Sequence, residues 1–288
     1  MAQRRALLNE IYAPLKKFEE GSKEWYELFN SGKVWRDYYC PFEWRAKDYE
    51  YQEKNIHYLK EIDLLSTKSP IVKILQNMIV NFSHRSCAIE ANTLELSESQ
   101  EIWDRLNKSY NLNNLLKNEK FPPPSSISSS DKSEKEIIED TPMENFCPWY
   151  NRKNMQQAGK FRTFVVQSYG DPFTVYPYDV EVPALMEEFM KFHDESKNIA
   201  IHPIMISCRL NASLAHIHPF YDGNGRVSRS IMAQYLICNG YLPAIFHQVK
   251  REDYINSLRE IQRGKDASLL YDIVISDILS SYHAHNKL

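Results

Sequence analysis

The chain has 288 residues, 43% hydrophobic and 25% charged, proportions of an ordinary globular protein that exclude a fibrous or fully disordered chain. A formal net charge of −3 argues against an overall basic nucleic-acid binder. The five cysteines (Cys40, Cys87, Cys147, Cys208, Cys238) are scattered without metal-ligand spacing and read as reduced thiols of an intracellular protein.

The N-terminus, MAQRRALLNEIYAPLKKFEE, has no secretory apolar region, and no apolar run reaches membrane length. A cytoplasmic or nuclear protein is expected, without a membrane partner, so the sequons at Asn81, Asn107 and Asn211 carry no meaning. Residues 1–79 read as mostly helical. Leu7, Leu8, Ile11, Tyr12 and Leu15 share one apolar face. Trp25, Tyr26, Phe29, Trp35, Tyr38, Tyr39, Phe42 and Trp44 form an aromatic-rich patch, either local core or a partner-binding surface, core being the commoner outcome. A helix is predicted from Ile56, and another after Pro70, with Ile71, Ile74, Leu75, Met78 and Ile79 as its stripe.

Residues 80–110 follow as a further unit. The stretch Ser83 to Leu94 would continue the preceding helix, placing Ser86 and Glu90 on one face. Ala88, Ile89 and Ala91 around Glu90 are small or apolar, and a partly buried carboxylate needs a cation. Ser97 to Gln100 resembles a capping box opening another helix. Residues 111–148, with Pro122 to Pro124 and a serine-rich, charged run, read as a linker or insertion.

The remaining unit, 149–284, begins with a predicted β-hairpin: Thr163 to Val166, a Gly170-Asp171-Pro172 turn, then Phe173 to Tyr176. An exposed edge there could take an extended peptide by strand addition. Helices are predicted over Val182–Phe192, Pro203–Ala215, Val227–Asn239, Arg251–Ile261 and Leu269–Ser281. The fold class is therefore mainly α with one small hairpin.

Between two of these helices lies His218-Pro219-Phe220-Tyr221-Asp222-Gly223-Asn224-Gly225-Arg226-Val227-Ser228-Arg229. Only eight glycines occur in the chain, and two are here, at a helix N-terminus. Unpaired N–H groups and glycine-permitted bending make an anion nest there. Arg226 and Arg229, three apart, can lean toward it, which suggests polyphosphate. Asp222 is a hard oxygen ligand of the kind Mg²⁺ takes beside nucleotide phosphates. His218 can serve as a general base. His216 and His202 read as structural.

HPFYDGNGRVSR resembles the signature of the Fic (Fido) domain family, HPFx(D/E)GNGRxxR, and agrees at every specified position. The Ala158-Gly159-Lys160-Phe161-Arg162 segment, the FTVYPYDVEVPALMEEF run, the helix before the motif and the Tyr254 helix extend the resemblance over roughly 83–282, most like fungal members. The resemblance implies a Fic-type helical bundle with a hairpin flap and a nucleotidyltransferase that moves AMP from ATP to a Ser, Thr or Tyr hydroxyl of a target protein. It implies that His218 is the base, Asp222 holds Mg²⁺, and Gly223, Asn224 and Gly225 form the anion hole. Arg226 would bind the β phosphate, Arg229 the γ phosphate, and Tyr254 would line the adenine pocket, while Phe220 would anchor the loop in the core. The flap, about Val166 to Tyr176, would align the target. Gln262 stands where relatives often have Asn.

Ser86 to Glu90 is similar to the family's inhibitory motif, [S/T]xxxE[G/N], with Ala91 at the last position and Asn92 after it. The resemblance implies that Glu90 pairs with Arg229 and denies the γ phosphate its ligand. Removal of AMP, transfer of another phosphate-bearing group and a non-catalytic interaction module are the alternatives. A homodimer that tunes inhibition is among the states the resemblance allows.

Overall fold

The computed structural model describes residues 2–90, 92–110, 160–168 and 171–285. The predicted 111–148 linker lies outside them. The described residues form helices α1 (Ala2–Ile11), α2 (Lys23–Asn30), α3 (Lys33–Tyr39), α4 (Ala46–Lys54), α5 (Ile56–Lys68), α6 (Ile71–Ile89), α7 (Leu96–Tyr110), α8 (Val182–Glu195), α9 (Pro203–Ile217), α10 (Asn224–Cys238), α11 (Arg251–Arg263) and α12 (Ser268–His285). No helix among them is long and apolar enough to cross a membrane.

The core is built around α9. Every residue of it except Pro203 and Ala215 is buried. Ile204, Ile206, Leu210, Leu214 and Ile217 supply its apolar contacts, each worth roughly 2 kcal/mol relative to exposure. Polar side chains on it find partners inside the protein: Ser207 donates to Ile204 O at 2.7 Å, and Arg209 pairs through Nη2 with Asp48 at 2.7 Å. His202 caps the helix, its Nδ1 accepting from Ile204 N–H at 3.2 Å while Nε2 faces Asp63 at 3.0 Å. His216 is buried and donates from Nε2 to Leu258 O at 2.9 Å. Both histidines are thus structural. Helix α9 packs most extensively on α10, and α8 and α12 flank it.

The aromatic patch of the N-terminal region is largely core. Trp35 is fully buried and Tyr39 nearly so. Tyr12, Phe29 and Tyr178 meet edge to face with centroids 4.9–6.1 Å apart. Helix α3 reaches this depth because Gly32 precedes it. Gly32 has φ +67, and a Cβ there would lie 2.7 Å from Leu185 Cγ.

Two predicted features differ. The hairpin is not formed by the described residues: 163–168 and 171–178 have no ladder between them, and the bridge that exists joins Phe161 to Phe220 of the motif loop. The reason is that side chains take the place of strand partners. Gln262 pairs with both backbone groups of Val175, at 2.9 and 2.8 Å. The helix predicted to run from Ser83 to Leu94 stops earlier. Helix α6 ends at Ile89 with Glu90 as its C-cap, and residues 92–95 are irregular before α7 opens with Glu98 accepting from Glu95 N–H at 2.7 Å.

Candidate active site

The site forms where α9 stops and α10 starts. His218 is the C-cap of α9, with φ 52 and ψ 54, a left-handed conformation that costs a non-glycine residue about 1 kcal/mol. Its N–H still donates to Leu214 O at 3.0 Å. Its Nδ1 lies 3.1 Å from Ala215 O. A carbonyl only accepts, so Nδ1 carries the proton and Nε2 keeps its lone pair. Burial pushes the imidazole below its ordinary value, and Arg162 adds to this, against the carbonyl of Ala215 and the carboxylates of Glu90 and Asp222. The ring of Tyr176 stacks on it with centroids 4.5 Å apart.

Arg162 holds this corner. It is 1% exposed, and its guanidinium donates to His218 O at 2.8 Å, Phe164 O at 2.8 Å and Pro177 O at 2.7 Å. The sequence motif does not mark Arg162 for this part. The available signal was a lone arginine set among aromatic residues.

The turn that follows brings backbone N–H groups together. Gly223 caps α10 with φ 78. Asn224 is buried, and its side-chain amide is committed to Phe220, accepting from Phe220 N–H at 2.8 Å and donating to Phe220 O at 2.9 Å. Asn224 therefore closes the loop, and the first-turn N–H groups of α10 make the nest. Phe220 is partly buried, its ring 6.3 Å from that of Phe161. Asp222 is largely exposed and pairs with Arg226 at 3.2 Å.

Arg229 is buried at 1% exposure and meets α6. Its Nε donates to Ser86 Oγ at 3.0 Å, and its Nη2 donates to Ser86 O at 2.7 Å and Glu90 Oε1 at 2.8 Å. Its Nη1 has no protein partner among the described residues. The Glu90 carboxylate also sits over the start of α10, where a Cβ on Gly225 would collide with its Oε1. Glu90 thus lies at the mouth of the nest, the place an anion would take.

Tyr254, on α11, is 1% exposed. Its ring carries the Arg229 guanidinium 5.5 Å from the centroid, and its hydroxyl donates to Asn211 Oδ1 at 3.1 Å. It lies beneath Arg229 rather than at an open wall. One turn earlier, Arg251 donates from Nε to Ile89 O at 2.8 Å. Helix α11 therefore touches Arg229 and the last residue of α6, next to Glu90, a connection that spacing along the chain does not display.

All ten residues singled out from the sequence, from Ser86 and Glu90 through His218–Arg229 to Tyr254, are brought to this one corner. No group of three or more His, Cys, Asp or Glu suited to a metal occurs among the described residues. A lone carboxylate such as Asp222 still fits Mg²⁺, which keeps several waters and takes its other ligands from substrate phosphates.

Residues 135–236 match the sequence model of the Fic/DOC family. The protein adenylyltransferases Fic of Drosophila grimshawi and Drosophila melanogaster are each 32% identical over 108 residues, which is 38% of this chain and 22% and 21% of theirs. The chain thus spans about a fifth of the length of these curated relatives. Fic-1 (residues 134–508) from C. elegans shares the fold with a TM-score of 0.55 at 18% identity, covering 82% of this chain and 72% of that one. A glutamate-to-glycine variant of that fragment gives 0.56 at 19% identity, covering 99% and 85%. Residues 135–236 thus carry the match to a Fic/DOC domain, and the described residues share the fold of these Fic structures.

Proposed function

We propose that the protein is a protein adenylyltransferase that moves AMP from ATP to a hydroxyl of a target protein and is held back by its own Glu90. The observation that carries this reading is the His218 imidazole, fixed through Nδ1 and free at Nε2, beside an anion nest that Arg229 closes. The names of the matched relatives support it.

In this reading His218 Nε2 takes the proton of the target Ser, Thr or Tyr hydroxyl. The hydroxyl oxygen bonds to the α phosphorus, the bond to the bridging oxygen breaks, and pyrophosphate leaves. The N–H groups at Gly223–Gly225 stabilise charge on the α phosphate. Arg226 turns from Asp222 to the β phosphate, and Arg229 takes the γ phosphate. Asp222 would hold Mg²⁺, which when bound neutralises phosphate charge. Tyr254 acts through Arg229, which it backs, with α11 as a wall for the adenine. The target lies along 166–176.

Inhibition follows from competition. Glu90 occupies the nest and one face of Arg229, so a triphosphate cannot engage both. A second reading, removal of AMP from a modified target, is favoured by Glu90 Oε2, which has no hydrogen bond within the described residues and is able to hold a water. The free thiols at Cys40, Cys87, Cys208 and Cys238 suit a reducing compartment such as cytoplasm or nucleus. A homodimer is one state in which inhibition would be tuned.

The test is incubation of Glu90→Gly protein and cell lysate with ATP labelled on either the α or the γ phosphate. Label retained on protein from the α position and not the γ position is expected. Retention of the γ label instead, or of neither, contradicts the reading.

A further inference from the structure

Outside the motif, one backbone position is held more tightly than packing alone requires. Val175 is fully buried, and both of its backbone groups are taken by side chains from distant elements. Gln262 of α11 accepts from Val175 N–H at 2.9 Å and donates to Val175 O at 2.8 Å. Trp35 of α3 donates from Nε1 to the same carbonyl at 2.9 Å. Arg4 of α1 donates to Thr174 O at 3.1 Å and Pro172 O at 3.3 Å. Asp171, at the start of the segment, accepts from Thr174 Oγ1 at 2.6 Å and pairs with Arg259 and Arg263. Two of the clamping residues, Arg4 and Trp35, lie well upstream of the stretch that matches the family model.

Next to the buried Val175, the Tyr176 ring lies against the His218 imidazole, with centroids 4.5 Å apart. Arg162 then ties Pro177 O to His218 O.

We propose that Trp35, Gln262 and Arg4 are positioning residues that hold the Pro172–Val175 backbone so that the Tyr176 ring covers the His218 imidazole. The aromatic N-terminal region thus gains a role in the reaction beyond filling core. The cover keeps water from the ring and fixes its plane toward the acceptor hydroxyl. Groups that face His218 electrostatically are Arg162, Glu90, Asp222 and His216. Gln262 also touches His216, its Nε2 3.3 Å from His216 Nδ1, so Trp35→Phe and Arg4→Gln are the variants that change the clamp alone. The catalytic consequence rests on the adenylyltransferase reading; the geometry of the imidazole does not.

The experiment uses the full chain with Trp35→Phe, Gln262→Met and Arg4→Gln, and Tyr51→Phe as a control that removes a comparable hydrogen bond, to Asp272, away from the site. NMR follows the His218 imidazole titration, assigned with His218→Gln. Each clamp variant is expected to move that titration toward the ordinary imidazole value by roughly half a unit, with Tyr51→Phe leaving it in place. In the Glu90→Gly background the clamp variants are expected to lower turnover of protein labelling about tenfold with nucleotide affinity unchanged. Arg4→Gln, at a largely exposed helix, keeps the test open should a core variant fail to fold. A His218 titration unmoved in the folded clamp variants, or moved equally by Tyr51→Phe, overturns the proposal. An unlabelled Glu90→Gly parent counts against the adenylyltransferase reading alone, since the titration still decides the clamp.

Discussion

Glu90 Oε1 lies 2.8 Å from Arg229 Nη2, joining the end of α6 to the second turn of α10 across more than a hundred residues of chain. The arginine is buried and the carboxylate is 42% exposed. If the pair is lost, Arg229 still keeps its two hydrogen bonds to Ser86, so its buried charge is not left unpartnered. Loss of the pair is therefore expected to change nucleotide chemistry far more than stability.

Arg251 offers a way to loosen that pair without touching it. Its guanidinium holds Ile89 O, one of the last unpaired carbonyls of α6, and a cation there also suits the helix dipole. Arg251→Ala is expected to raise self-labelling severalfold in the Glu90 protein and to add nothing to Glu90→Gly. Rates of the two single variants and the double variant check this. Equal effects in both backgrounds would mean that Arg251 does not act through Glu90.

The pH dependence of the proposed adenylyl transfer follows from His218. Its folded value lies below the ordinary imidazole value of about 6.5, because of burial first and Arg162 second. The free base therefore persists to lower pH than for an exposed histidine. The acid limb of kcat/KM for the Glu90→Gly protein is expected below pH 6.5. A limb at or above that value contradicts the assigned state of His218.

Glu181 makes stability depend on pH in the opposite sense to an ion-paired carboxylate. It is fully buried, and burial raises its carboxyl to about 7, against hydrogen bonds from Tyr12 and Tyr178 N–H. The folded state thus binds a proton that the unfolded state releases near 4.5. This contribution is present below about pH 4.5 and is lost as pH rises through about 7. Relative to Glu181→Gln, the wild type is expected to gain on the order of 2–3 kcal/mol as pH falls from 8 to 4.5. Denaturant midpoints at several pH values measure it, and a constant difference would refute it.

Much of the helical order was legible because its apolar stripes are long and periodic, as in Pro203–Ile217. The motif loop was legible because its histidine, acid, glycines and arginines are contiguous, and their order carries the chemistry. Less legible was everything that works through backbone groups of distant segments. The hairpin prediction read strand composition at Thr163–Val166 and Phe173–Tyr176. There the Gln262 amide and the Trp35 indole supply the hydrogen bonds a neighbouring strand would have made. Neither residue type signals such a partner in sequence. The committed amide of Asn224 and the three-carbonyl grip of Arg162 escaped for the same reason.

The central claim is that His218 drives adenylyl transfer once Glu90 is gone. Its most direct measurement is the intact mass of Glu90→Gly and Glu90→Gly/His218→Ala proteins after incubation with ATP and Mg²⁺. The first is expected to gain the mass of an adenylyl group and the second is not. Equal modification of both, or none in the first, would contradict it.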